Sequence, residues 1–228
     1  MSRHAFDRGI GRLLVAVLGA GLVLAGCAQG SDPQTAAPSG GTVRLLTHDS
    51  FAVSESLISE FTQRTGYDLQ IVTAGDAGSM VAGAILAAGQ PTADVMFGVD
   101  NTLMARAVDA GVFDAYASPQ AASLDPALVP PGGMLTPIDY GDVCVNIDDA
   151  WFASKGIAPP ATLEDLADPR YRGLLVVEDP ATSSPGLAFL LATIARSPQQ
   201  WQDYWARLLA NDVKVAASWS DAYLGDFT

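Results

Sequence analysis

Five short polar clusters hold the groups that could do chemistry: His48-Asp49-Ser50, Asp76-Ala77-Gly78-Ser79, Asp100-Asn101-Thr102, Thr182-Ser183-Ser184-Pro185-Gly186 and the stretch SWSDAY, residues 218 to 223. The Ser183 cluster opens an apolar run. It therefore offers hydroxyls and free backbone N–H groups with the positive end of a helix dipole behind them, which suits an anion or a polar ligand edge. Pro185 fits a first helical turn, where its missing N–H costs nothing. The carboxylates of Asp49, Asp76 and Asp100 suit the opposite charge, and Trp219 brings a flat face on which an aromatic or cationic ring could stack. A ligand meeting both sets would be cationic at one end and polar or anionic at the other. Each cluster alone reads more readily as turn chemistry, because Asp, Asn, Gly and Ser are what tight loops use. Trp219 reads equally well as core, and Trp201 and Trp205, four apart on one helix face, read as core.

Bond-making chemistry finds less support. The chain has two histidines, His4 and His48, and one of them lies in the leader. A Ser-His-Asp hydrolase would have to use His48, and no Gly-x-Ser-x-Gly elbow accompanies it. One body histidine and one spare cysteine make a poor zinc site. Neither a phosphate-cradling Gly-x-x-x-x-Gly-Lys-Ser/Thr nor a Gly-x-Gly-x-x-Gly follows a strand. No catalytic residue, metal or cofactor is expected. With 12 Lys+Arg against 25 Asp+Glu and a formal net charge of −13, the chain lacks the basic face that nucleic acid requires.

The clusters have a shared address. TVRLLTH (42–48), YDLQIVTA and ADVMFGV read as strands. Between and after them, helices are expected over 54–66, with Leu57, Ile58 and Phe61 in phase and Gly66 as C-cap, over a segment carrying Val81, Ile85 and Leu86 with Ser79 as its cap, and over LMARAVDAG. Such βαβαβα order calls for a parallel sheet flanked by helices, and ligands of such sheets bind beyond the carboxyl ends of the strands, where the three aspartate clusters fall. After a Pro-, Ala- and Gly-rich connection from Phe113 to Met134, residues 135–147 read as an extended crossing segment in which Cys144, between Val143 and Val145, is a small buried residue. GLLVVED, a helix from about Leu187 to Arg196, a further helix through WQDYWARLL and a strand before SWSDAY repeat the grammar. The expected organisation is a first lobe over 42–138 and a second over 139–228. The chain then stops at LGDFT without returning to the first lobe, so the second lobe reads as incomplete.

The amino terminus is a leader. Arg3, Arg8 and Arg12 precede an apolar stretch from Leu13 to Leu24, too short for a bilayer span of about 20 residues. Leu24-Ala25-Gly26-Cys27 resembles the bacterial lipobox. Residues 1–27 are read as a lipoprotein signal peptide with Cys27 as the lipidated residue, and the Gly-, Ser-, Pro- and Ala-rich residues 28–41 as a flexible tether. Cys144 is then left without an intrachain disulfide partner.

Five stretches in order, THDSFAVSESLISEFTQRTG, ADVMFGVDNTLMARAVDAGVFDAY, TPIDYGDVCVNID, VVEDPATSSPGLAFLL and VAASWSDAY, resemble the thiamine-binding proteins of bacterial thiamine ABC transporters. The resemblance covers Val43 to Tyr223. It implies an α/β, two-lobed periplasmic-binding-protein-like fold of type II, each lobe a mostly parallel sheet flanked by helices, with the ligand cleft between the lobes. It further implies capture of thiamine or its phosphates, delivery to a membrane-embedded ABC permease, the monomeric form usual for the class, and a place at the outer face of the cytoplasmic membrane or in the periplasm, held by lipid on Cys27. By position it implies His48, Asp49 and Ser50 as the first loop's ligand contacts, with His48 where the family carries an aromatic. Asp76 follows from the second loop, where Ala77 replaces a glycine, and Asp100 from the Gly98–Asn101 segment. Ser183 is implied at the ligand's phosphate or polar end, Trp219 at a ring, and Tyr223 beside it. Relatives continue past this chain's end with further cleft aromatics. The same fold with a polyamine or ferric iron as ligand, and a secreted hydrolase built on His48, stand as alternatives.

Overall fold

A computed structural model describes residues 40–227. The leader, Cys27 and nearly all of the expected tether lie outside the described residues.

Strands β1 (Thr42–Thr47), β2 (Asp68–Thr73) and β3 (Val95–Met96) form a parallel sheet in the order β2-β1-β3, with Leu45 of β1 opposite Ile71 on one side and Val95 on the other. β1 is central, and its burial deepens toward Leu46 and Thr47 at the carboxyl end. Helix α1 (Glu55–Thr65) starts where Ser54 turns extended and its hydroxyl accepts the Leu57 N–H, and it ends at Gly66 in the left-handed region, φ 73°. Helix α2 (Ala77–Leu86) is capped by Asp76, extended at φ −72° and ψ 165°, and not by the expected Ser79, which already sits inside the first turn. A core cluster joins the two halves of the chain here. Ala77 and Val81 of α2 pack with Leu103 and with Ala107 of α3 (Met104–Asp109), and Leu187 from the second half of the chain closes on them.

The second half repeats the pattern on a smaller sheet. After α4 (Asp149–Lys155), strand β4 (Val176–Glu178) runs into helix α5 (Ser184–Arg196), and helix α6 (Trp201–Ala210) returns to β5 (Lys214–Ala216), parallel to β4 with Val177 opposite Val215. Leu166, Tyr204 and Leu208 are the core, with Phe189, Trp205 and Val213 packed around them. The polar tips buried there are all satisfied: Tyr204 Oη donates to the Leu163 carbonyl at 2.6 Å, Trp205 Nε1 to Thr193 Oγ1 at 2.9 Å, and Asn211 Nδ2 to Leu166 and Asp168 carbonyls at 3.2 and 2.9 Å. Burial pushes the Tyr204 phenol up to about 12, with the nearby Glu164 charge adding to it. Trp205 thus packs against the core as expected, whereas Trp201, expected beside it, is half-buried and Tyr204 takes the core position.

One expectation here fails: Cys144, in the crossing segment 135–147 that carries neither helix nor strand, is exposed instead of buried. The alternation Val143, Val145, Ile147 has the period of a strand, but the second sheet contains β4 and β5 without a further partner for it. Those side chains therefore line an open cavity. The stretch after β5 also differs: Asp221–Asp226 winds as a π-helical turn where a loop is expected.

Candidate functional site

The polar loops at the carboxyl ends of the strands come together at one seam. The Asp49 N–H donates to the Gly75 carbonyl at 2.9 Å, which fixes the first loop against the second. His48 Nδ1 lies 2.8 Å from Ser50 Oγ, and its ring sits among Phe51 and Phe97 at centroid distances of 6.4 and 6.1 Å. Gly98, at φ 106°, backs this ring so closely that a Cβ there would fall 2.5 Å from His48 Cδ2. The aromatic environment expected of position 48 is thus supplied by its neighbours.

Asp76 is the centre of the seam. It is 5% exposed, its Oδ1 accepts the Ala77 N–H at 2.6 Å, and its Oδ2 accepts the Trp219 N–H at 2.8 Å, 143 residues along the chain. One carboxylate therefore caps α2 and fastens the second half to the first. Beside it the Ser79 N–H donates to the Thr182 carbonyl at 3.1 Å, and Ser220 Oγ donates to Asp49 Oδ1 at 3.3 Å. Gly78 allows the approach, since a Cβ would lie 2.7 Å from the carbonyl carbon and oxygen of Thr182. Asp100 does not join them. Its Oδ1 accepts from Thr102 N–H, Thr102 Oγ1 and Leu103 N–H at 3.0, 2.7 and 3.1 Å, holding the turn that leads into α3.

Ser183 holds the N-cap position of α5 in extended geometry, but its hydroxyl makes no capping bond. Oγ is buried and has no partner in the protein, and the residue is 1% exposed. A buried donor left unsatisfied costs about 1–3 kcal/mol. Placed at the positive end of a 13-residue helix, this hydroxyl is a vacant hydrogen-bonding position beside an anion-favouring dipole. Thr47 Oγ1, at the end of β1, is likewise buried and unpartnered.

Trp219 and Tyr223 stack at 4.7 Å with planes 11° apart, and Tyr223 stacks in turn on Phe227 at 5.4 Å and 18°. Spacing of four residues along the helical turn brings the three rings onto one side. They border a cavity of about 850 Å³ whose wall also holds Glu178, Pro185 and Phe189. Burial pushes the Glu178 carboxyl above the usual carboxylate range, and the charge of Asp76 adds to it. Phe227 and Thr47 were not singled out by the sequence, and Glu178 and Ser220 only as members of the VVEDPATSSPGLAFLL and SWSDAY stretches. The signal for Glu178 and Thr47 was present, because both are the last residues of their strands, where such sheets bind ligands.

Two parallel sheets whose loops meet at a seam define a class, and solved structures share it. A periplasmic thiamin binding protein superposes with a TM-score of 0.63 at 24% identity, over 80% of this chain and 57% of that one. The periplasmic binding protein P5PA does so at 0.66 and 21%, over 78% and 58%, and iron-bound HitA from Pseudomonas aeruginosa at 0.60 and 21%, over 80% and 57%. The fold is that of the type II periplasmic binding proteins. Residues 90–226 match the family described as bacterial extracellular solute-binding protein, and the chain belongs to that family. Curated relatives include the thiamine-binding periplasmic proteins of Salmonella typhimurium, 29% identical over 78% of this chain and 54% of the relative, and of Escherichia coli, 28% identical over 78% and 54%. That of Brucella suis is 28% identical over 85% and 57%. The chain spans about half the length of the curated relatives it matches.

Proposed function

We propose that this protein is the solute-binding component of an importer, capturing thiamine or its phosphate esters in the cleft between two lobes, 42–138 and 139–228, and delivering them to a membrane-embedded ABC permease. The observation that carries the reading is the seam itself. Asp76, the Trp219 backbone and the Ser183 loop, drawn from opposite halves of the chain, meet where a buried hydroxyl at a helix N-terminus lacks a partner. A ligand with a phosphate or hydroxyl at one end satisfies Ser183 and the α5 dipole, and its rings meet the Trp219–Tyr223 stack. The names of the curated relatives support thiamine as that ligand. His48, Asp49 and Ser50 line the opposite edge, and Asp100 supports it by shaping its own loop. The protein works in the periplasm or at the outer face of the cytoplasmic membrane, tethered as a monomer through lipid on Cys27.

Tryptophan fluorescence of the purified chain, titrated with thiamine, thiamine monophosphate and spermidine, tests this. Saturable quenching by the thiamine compounds, absent with spermidine and abolished in Trp219→Ala, is the expected result. A folded protein that responds to spermidine alone, or to none of them, refutes the assignment. Metabolic labelling with palmitate, lost in Cys27→Ser, is the expected result for the anchor.

A further inference from the structure

The cavity beside the aromatic stack contains a charge that nothing in the described chain neutralises. Its wall mixes aliphatic and aromatic side chains, Val177, Phe189, Trp219 and Tyr223 among them, with carboxylates: Asp142 and Asp148 are exposed, Asp148 capping α4 through the Trp151 N–H, and Glu178, at the end of β4, is half-buried. Among the described residues no Lys or Arg forms an ion pair with Glu178, and Lys214, on the same wall, is held by Asp226. The position is built with care. Gly186, in the first turn of α5, lies against the Glu178 backbone so tightly that a Cβ would fall 2.4 Å from its carbonyl oxygen, so this approach of helix to strand end requires glycine.

Two opposing effects act on this carboxylate. The nearby N-terminus of α5 favours its charged form, and burial disfavours it. The carboxyl is displaced upward, so burial wins, with Asp76 reinforcing it. A carboxylate left in that state is destabilising for the empty protein, and it is relieved by a cation that brings an N–H donor into the cavity. The volume of about 850 Å³ exceeds what a single water or a bare metal ion requires and falls in the range of small-molecule pockets. The stacked rings of Trp219 and Tyr223 add a planar, cation-favouring wall.

We propose that Glu178 is the specificity-determining residue of this site, selecting a planar heterocyclic cation with an amino donor by accepting its N–H hydrogen bond inside the aromatic-lined cavity. The inference rests on the solute-capture reading and deepens it, assigning the cationic end of the ligand to Glu178 as Ser183 is assigned the polar end. Thiamine fits this class, carrying a ring cation and an aminopyrimidine.

The test is isothermal titration calorimetry on the full chain at pH 7 with thiamine, 1-methylnicotinamide and spermidine, comparing wild type with Glu178→Gln, which keeps the volume and removes the charge. Loss of a charge-assisted hydrogen bond is expected to weaken thiamine binding about 10- to 100-fold. The urea midpoint of the ligand-free variant is expected to rise, because a buried unpaired charge is gone. A merely structural Glu178 would move the midpoint the other way. Thiamine binding within twofold of wild type overturns the proposal and leaves the thiamine assignment intact. Wild-type binding of 1-methylnicotinamide but not thiamine, weakened in the variant, overturns the thiamine assignment and supports Glu178. Binding of spermidine alone, or of no cation, overturns the proposal.

Discussion

Two glycines of one helix separate the contribution of the seam from that of the helix. Gly78 and Gly83 both lie in α2, Gly83 exposed with nothing within 4 Å of where its Cβ would stand. Gly→Ala in an exposed helix interior is worth about 1 kcal/mol, so Gly83→Ala is expected to stabilise by roughly that much. At Gly78 the same methyl would start 2.7 Å from the Thr182 carbonyl, against 3.4 Å for ordinary contact. The obstructing atoms are backbone, so no rotamer change removes the clash, and α2 must part from the loop before α5. Overpacking of this kind costs about 1–3 kcal/mol. Parting also stretches the Ser79–Thr182 bond of 3.1 Å and the Asp76–Trp219 bond of 2.8 Å, the first worth about 0.5–1.5 kcal/mol and the second, charge-assisted, about 1.5–3 kcal/mol. Not all of these losses coincide, because separation relieves the clash as it breaks the bonds. Offset by the helix gain, Gly78→Ala is expected to destabilise by about 1–2 kcal/mol. Urea denaturation followed by tryptophan fluorescence reads both variants, and ligand titration should show Gly78→Ala alone weakening binding. Equal stabilisation by the two substitutions would refute the seam.

Ser183→Ala removes a buried hydroxyl that has no partner; the ligand-free protein is expected to gain about 1 kcal/mol in urea denaturation while affinity for thiamine monophosphate falls, and a loss of stability would mean that the hydroxyl is satisfied. Asp76→Asn leaves one amide oxygen to serve the Ala77 and Trp219 N–H groups now accepted by two carboxylate oxygens. It is expected to cost about 1.5–3 kcal/mol by the same measurement. The Tyr204 phenol, raised to about 12, keeps its proton more tightly folded than unfolded. Its contribution to stability is therefore complete below an ordinary tyrosine pKa of about 10 and lost as pH rises through the folded value. Tyrosinate absorbance should show one phenol ionising last, and Tyr204→Phe should remove it.

The parallel sheets and their helices were legible because each depends on local pattern: the period of Leu57, Ile58 and Phe61, the left-handed Gly66, the apolar runs of β1 and β4. That Asp49 and Asp76 lie together was legible from topology, as strand ends share one side of a sheet, whereas Ser183 and Trp219 follow strands of the second sheet and were placed beside them by family resemblance. What escaped depends on partners that residue type alone does not reveal, some distant in sequence and some within the same turn. Ser79 and Asp76 are both good caps, and the helix starts at Asp76, whose second oxygen also takes the Trp219 N–H from the far end of the chain. Residues 143–147 alternate like a strand, yet alternation cannot supply the neighbouring strand that would bury Cys144. Asp100 has the right residue type in the right place, and its oxygen is engaged within its own turn.

Asp76 links the legible and the hidden parts. A helix N-cap normally satisfies one local donor, at a stabilisation of about 1 kcal/mol, and it leaves a carboxylate with a second oxygen free for water. Here that oxygen meets the Trp219 N–H, and the residue is 5% exposed. Local helix stability and contact between the two halves thus depend on the same side chain, so neither can be lost without strain on the other. The position of Trp219, and through stacking that of Tyr223, follows from where α2 begins. A shift of α2 therefore bears, through the Asp76–Trp219 bond and the stacked rings, on the wall of the cavity in the second half.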